Sequence, residues 1–189
     1  VSRPDLLIFG GTGLLGSALI DAATRAGLTV AATTHRHEPD TEAAVARWFP
    51  VELSKAGESA RLIGAQRPRA VINAAYVPSG PDLKQVTAEA PGEMAAACHS
   101  LSARFVHVSS DIVFVGASAR PYIESDPVCP LHEYGRAKAR SERLVAGADP
   151  TAAIVRTSLL WGTDPTGRAT ADSIQAWLGR RSPLPCPGS

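Results

Sequence analysis

The absences in this chain are the first constraint. Of its 189 residues only three are cysteine, Cys98, Cys129 and Cys186. They are odd in number and widely spaced, with no CxxC pair and no Cys/His cluster at metal-ligand spacing, so the chain reads as reduced, cytoplasmic and without a metal site. There is no excess of charge of one sign. Lys and Arg number 19 against 18 Asp and Glu, which gives no electrostatic reason to expect a nucleic-acid or acidic-membrane partner. Long apolar runs are missing too: "LLIFG" near the start is too short for a membrane span or a signal peptide. No internal repeat, low-complexity tract or interdomain linker is visible.

What is present is an ordinary globular composition, 44% apolar, at a length that suits one domain, or one domain with an incomplete second lobe. Strand-like apolar runs occur at 6–9 ("LLIF"), 28–34 ("LTVAATT"), 70–75 ("AVINAA"), 104–110 ("RFVHVSS") and 152–158 ("AAIVRTS"). Ala-rich stretches of helical periodicity lie at 14–26, 54–67, 83–101 and 133–147. Such alternation predicts a doubly wound α/β fold, a parallel sheet with helices on both faces. Residues 46–53 ("ARWFPVEL") suit a short additional strand, although Pro50 would leave a gap in its ladder. Pro and Gly collect at 77–81, 116–130 and 183–188, which read as loops.

Four stretches carry chemistry. The run "LLIFGGTGLLGSALIDAATRAG" is strand, glycine turn and helix. Gly10, Gly13 and Gly16 fit G-x-x-G-x-x-G, with Leu14 and Leu15 opening the helix whose N-terminus faces a dinucleotide pyrophosphate. About twenty residues further on, the second strand ends "TTHRH". It lacks the carboxylate that binds a ribose 2′-hydroxyl, and Arg36, helped by Thr34 or His35, would hold a 2′-phosphate instead. NADP(H) is therefore expected, with NAD(H) as the alternative. "VINAAY" ends a strand in small residues, which lets a cofactor lie against Ala74, Ala75 and Tyr76. Finally, Ser109 and Ser110 close an apolar strand, and Tyr134 and Lys138 sit four apart on one helical face. The plain alternatives are a structural glycine turn, a solvated Arg36, a buried strand end, and a capping serine beside a surface Tyr/Lys pair. His107, inside an apolar strand, is expected to be a satisfied core residue.

Read in order, the glycine turn, "VINAAY", "FVHVSSDIVFVG", "YIESDPVCP" and "YGRAK" resemble the extended short-chain dehydrogenase/reductase family. Within it they are most similar to the dTDP-4-dehydrorhamnose reductase-like, sugar-nucleotide-binding branch. The resemblance runs from residue 5 to 163, "IVRTSLLWG" included. It implies an NAD(P)-binding Rossmann domain over 1–163 and, at 164–189, the start of a C-terminal substrate-binding region that is largely absent. By position it makes Ser110, Tyr134 and Lys138 catalytic: hydride addition to a sugar ketone leaves an alkoxide, which needs an acid and a hydrogen-bond donor. Tyr134, ordinarily titrating near 10, would need a cation to lower it. Lys138 is expected to do so while it and Tyr134 contact the cofactor. Glu52 and Leu53 take the place of an Asp-Leu pair near the adenine.

The implied function is an NADP(H)-dependent reductase of a 4-keto nucleotide-deoxysugar, in a homodimer built through helices 83–101 and 133–147. A catalytically weak NADP-binding regulatory subunit and a nucleotide-sugar epimerase or dehydratase remain as alternatives on the same fold. The chain departs from the family pattern at Ile112 and Val115, where polar residues are usual, and at Thr87, where an asparagine normally props the lysine.

Overall fold

The computed structural model describes residues 3–35 and 46–160. Six strands form one parallel sheet: β1 (Leu6–Phe9), β2 (Val30–Thr34), β3 (Ala46–Pro50), β4 (Ala70–Asn73), β5 (Arg104–Ser110) and β6 (Ala153–Thr157). Their order is β3-β2-β1-β4-β5-β6. In β1 every side chain is buried, as a central parallel strand requires. Its alternation divides the core in two. Leu6 and Ile8 pack with Ile20 and Ala23 of α1 (Leu14–Arg25). Leu7 and Phe9 face Ile63 of α2 (Glu58–Gln66), Met94 of α3 (Ala90–Ser100) and Val145 of α4 (Glu133–Ala148). At about 25 cal/mol per Å² of apolar surface, each such fully buried side chain contributes roughly 1.5–3 kcal/mol.

The doubly wound arrangement expected from the alternation of strands and helices is the one observed. Several boundaries move for local reasons. The helix expected from 54 begins at Glu58 because Gly57 takes φ 82°, and the Gly57 N–H is satisfied by Glu93 of α3 at 2.8 Å. The helix expected over 83–101 is two pieces, a π-helical turn at Leu83–Glu89 and then α3. Pro91 stands in the first turn of α3. It has no N–H to donate to the Val86 carbonyl, the bond that would carry the wider i→i−5 turns one residue further, so they end where the α-helix begins. Pro50 occupies the last position of the edge strand β3, where a missing donor costs little.

Among the described cysteines Cys98 is a buried free thiol. Cys129 is disulfide-bonded, against the expectation of a reduced chain; it lies outside the regular elements, and no local sequence pattern marks it. Among the described residues no helix is long and apolar enough to cross a membrane. Arg36, Cys186 and the expected boundary at 163/164 lie outside the described residues.

Candidate active site

The sheet order reverses between β1 and β4, and a crevice opens there beyond the carboxyl ends of the strands. Gly10 follows β1 at φ 81°. A Cβ on it would lie 2.8 Å from the Ala75 amide nitrogen, so the turn rests directly on the backbone that continues β4. Its N–H donates to Thr33 Oγ1 at 3.1 Å, and the Gly11 N–H donates to the Thr33 carbonyl at 3.1 Å. At Gly16 a Cβ would collide with the Gly10 carbonyl, so the missing side chain is what lets α1 lie against the turn.

Gly13 is different. It is exposed, with φ −83° and ψ 167°, and a Cβ there would meet only the Gly10 carbonyl oxygen at 3.4 Å. The protein itself does not require glycine at this position. Behind it α1 starts with no side-chain cap, so the N–H groups of its first turn and the positive end of the helix dipole face outward from Leu14 and Leu15. This open cradle fits a phosphate group.

The cradle belongs to a cleft of about 280 Å³ that also takes in Thr34, His35, Glu52, Leu53, Ala74, Ala75 and Tyr76. Thr12, Thr33, Val77, Asp82 and Val86 line it too, and the sequence motifs had not singled these out for the cofactor, except by their nearness to the glycines and to "VINAAY". Glu52 accepts from Ser54 Oγ at 2.7 Å and from the Ser54 N–H at 3.2 Å, and it pairs with His35 Nε2 at 2.7 Å. These bonds, Ser54 first and His35 second, hold its carboxyl at about 2. The cleft wall therefore carries a fixed negative charge beside an imidazole.

Lys138, on α4, is buried and donates from Nζ to the Val108 carbonyl of β5 at 2.9 Å. The same nitrogen lies 5.6 Å from the Tyr76 ring centroid and 5.9 Å from that of Tyr134. The two rings are 5.7 Å apart and tilted by 53°. Burial lowers the Lys138 ammonium to about 8, with Glu142 opposing the shift. For Tyr134 the sequence expectation needs correcting. Burial, and then the Tyr76 phenol, push its pKa up rather than down, because the Lys138 ammonium is committed to the Val108 carbonyl and desolvation of a phenolate dominates.

The pleat of β5 sends its last two serines to opposite faces. Ser109 is buried and donates to Glu142 Oε1 at 2.5 Å. Ser110 caps the short 3-10 turn Asp111–Val113. Its hydroxyl accepts from the Ile112 N–H at 3.4 Å and donates to Asp111 Oδ1 at 3.3 Å. Both bonds are long, so the hydroxyl keeps capacity for another partner. Gly135 explains why glycine follows Tyr134. A Cβ there would lie 2.6 Å from the Ile112 carbonyl oxygen and 2.9 Å from Pro130 Cβ. Only glycine lets the first turn of α4 press onto the turn that Ser110 begins, and that contact fixes the start of α4, where Tyr134 sits, against the segment after β5.

One support went unread in the sequence, and a second was read only as a departure from the family pattern. Arg156 of β6 clamps Glu142 with bonds of 3.0 and 2.8 Å, and its guanidinium lies 4.9 Å over the Phe114 ring. It thereby ties α4 to the sheet edge and to the segment after β5. Thr87 accepts from the Val77 N–H at 2.9 Å and donates to the Val77 carbonyl at 2.8 Å. This threonine fastens the segment that leaves β4 at the cleft.

A parallel 3-2-1-4-5-6 sheet with an uncapped glycine turn at its point of reversal defines a Rossmann-type domain. The chain belongs to the RmlD substrate binding domain family, whose profile matches residues 4–184. It is 34% identical to the dTDP-4-keto-6-deoxy-D-glucose reductase of Streptomyces niveus over 82% of this chain and 52% of the relative. It is 35% identical to the dTDP-4-dehydrorhamnose reductase of Mycobacterium tuberculosis over 86% and 52%. A probable low-salt glycan biosynthesis reductase of Haloferax volcanii is 32% identical over 82% and 53%. The chain thus spans about half the length of the curated relatives it matches. In fold it is similar to the Bordetella bronchiseptica enzyme WbmG in complex with NAD and UDP, with a TM-score of 0.75 and 20% identity over 86% of this chain and 55% of that one. It is also similar to the dTDP-4-dehydrorhamnose reductase of Bacillus anthracis in complex with NADP, with a TM-score of 0.69 and 21% identity over 96% and 62%.

Proposed function

We propose that this chain carries the cofactor-binding and proton-donating half of an NADP(H)-dependent reductase acting on a 4-keto nucleotide-deoxysugar. The observation that supports this most is the Gly13 cradle opening into the same cleft as Tyr76, which packs on Tyr134 and over Lys138. The names of the relatives supply the substrate class. The Gly10–Gly16 turn and the N–H groups of Leu14 and Leu15 would hold the pyrophosphate, Ala74 and Ala75 the nicotinamide half, and Glu52 and Leu53 the adenine. Arg36 carries the preference for a 2′-phosphate, with NAD(H) as the alternative.

When bound, the reduced dinucleotide supplies a hydride to the carbonyl carbon. Ser110, turning its one hydroxyl proton away from Asp111, donates a hydrogen bond to the carbonyl oxygen, and Tyr134 gives its phenolic proton to the alkoxide as the C=O π bond becomes C–O⁻. Burial keeps Tyr134 protonated and ready to donate. Lys138 would stabilise the phenolate and hold the ribose hydroxyls of the bound dinucleotide. The exposed faces of α3 and α4 are the surfaces for a homodimer.

Hydride transfer from NADPH to a dTDP-4-keto-6-deoxyhexose, followed by loss of NADPH absorbance, tests the reading. Tyr134→Phe should lower turnover by about 100-fold or more and leave NADPH affinity within a few-fold. Equal turnover in the variant would remove Tyr134 as the donor. NADPH binding without turnover on any keto-sugar nucleotide would favour a binding subunit.

A further inference from the structure

Beneath the candidate site runs a line of buried polar groups that the proposed reaction does not use. Asn73, His107 and Ser141 are all buried, on β4, β5 and α4, and Asn73 and His107 are partners in the β4–β5 register. The direction of every bond follows from its two ends. The Ala75 N–H can only donate, so the Asn73 atom 3.1 Å from it is Oδ1. Asn73 Nδ2 then faces His107 Nδ1 at 3.3 Å as donor. At the far end Ser141 Oγ donates to the Lys138 carbonyl at 2.7 Å, which leaves its lone pairs to accept from His107 Nε2 at 2.8 Å. One tautomer of His107, neutral and protonated on Nε2, satisfies both sides.

The line therefore joins two working parts by a single set of directed bonds. Its first atom is the Ala75 amide, on which the Gly10 turn rests. Its last is the backbone of Lys138, whose side chain bonds the β5 carbonyl next to the Ser109–Ser110 pair. A buried line of this kind is costly when one member is removed, because each remaining group is left without a partner. It also adds directed bonds that resist sliding of α4 along the sheet.

We propose that Asn73, His107 and Ser141 form a positioning relay that fixes the register of α4 against the cofactor floor, so that Lys138 and Tyr134 meet a bound nicotinamide dinucleotide. The inference rests on the dinucleotide reading above. His107 and Ser141 act here through Lys138, without touching the ligand.

The test is calorimetric titration of the full chain with NADPH and with NADH, together with the fluorescence of the bound reduced nicotinamide, for wild type and four variants. His107→Leu breaks the relay on both sides. His107→Gln keeps an acceptor and a donor at nearly the spacing of the imidazole nitrogens. Ser141→Ala removes one hydroxyl, and the fourth variant combines Ser141→Ala with His107→Leu. The relay predicts folded variants in which His107→Leu and Ser141→Ala each weaken binding by tenfold or more and shift the nicotinamide fluorescence. His107→Gln should come back to within about threefold of wild type, and the double variant should fall no further than the worse single one. If His107→Leu does not fold, Ser141→Ala carries the same prediction. Folded variants that bind as wild type does would overturn the relay and leave the dinucleotide reading standing, as would losses that simply add. A wild-type chain that binds neither nucleotide overturns both.

Discussion

Replacing Gly135 by alanine separates two opposed effects that the structure lets us weigh. In a helix alanine is favoured over glycine by roughly 0.5–1 kcal/mol. At Gly135, however, the new Cβ would stand 2.6 Å from the Ile112 carbonyl oxygen, where ordinary contact begins at 3.4 Å. The first turn of α4 would have to retreat by about 0.8 Å, and forced overpacking of this kind costs about 1–3 kcal/mol. The contact wins. A net loss of about 1–2 kcal/mol should lower the melting temperature by roughly 2–8 °C for a chain of this size. At Gly147, in the last turn of the same helix, a Cβ would have no heavy atom within 4 Å, so Gly147→Ala should gain up to about 1 kcal/mol. Thermal melts followed by circular dichroism measure both. If Gly135→Ala stabilises the protein as Gly147→Ala does, the close approach of α4 to the Ser110 turn is not as argued.

Two further outcomes follow from buried titratable groups. His107 is held at about 3 by burial and then by Lys138, well below its ordinary 6.5, so the folded protein keeps it neutral while the unfolded chain takes up a proton. Stability from this group is complete above pH 6.5 and is lost as pH falls from 6.5 toward 3, by up to about 1.4 kcal/mol per pH unit. Urea unfolding across that range should show the slope, and His107→Gln should flatten it. Arg156→Met leaves the buried Glu142 carboxylate without its cation and should cost about 3 kcal/mol, whereas Arg156→Met with Glu142→Leu should recover most of that. A double variant that loses the sum of the two single losses, read from the same urea curves, would count against the pairing.

How far the sequence led differs from one part of the site to another. The sheet was legible because apolar runs such as "LLIF" and "RFVHVSS" end at small or polar residues, and the glycine turn because Gly10 and Gly16 each answer a backbone contact. Gly13 was legible only through its place in the G-x-x-G-x-x-G spacing, since nothing in the protein demands it. Three things were hidden. The π-helical turn before α3 depends on which carbonyl Pro91 leaves without a donor, and periodicity does not report that. The rise in the Tyr134 pKa depends on where the Lys138 ammonium points, and spacing places the two residues on one face without saying which oxygen the lysine meets. His107 was readable as a satisfied core residue, yet its partners lie 34 residues away on either side, beyond any local pattern.

The central claim is that the Gly10–Gly16 turn seats a nicotinamide dinucleotide. The most direct measurement is calorimetric titration of the chain and of Gly13→Ala with NADPH and NADH, alongside a thermal melt of each. Because the added methyl meets only one protein atom, at 3.4 Å, an unchanged melting temperature and at least a tenfold loss of affinity are expected. A wild-type chain that binds neither nucleotide, or a Gly13→Ala variant that binds them equally well, would contradict the claim.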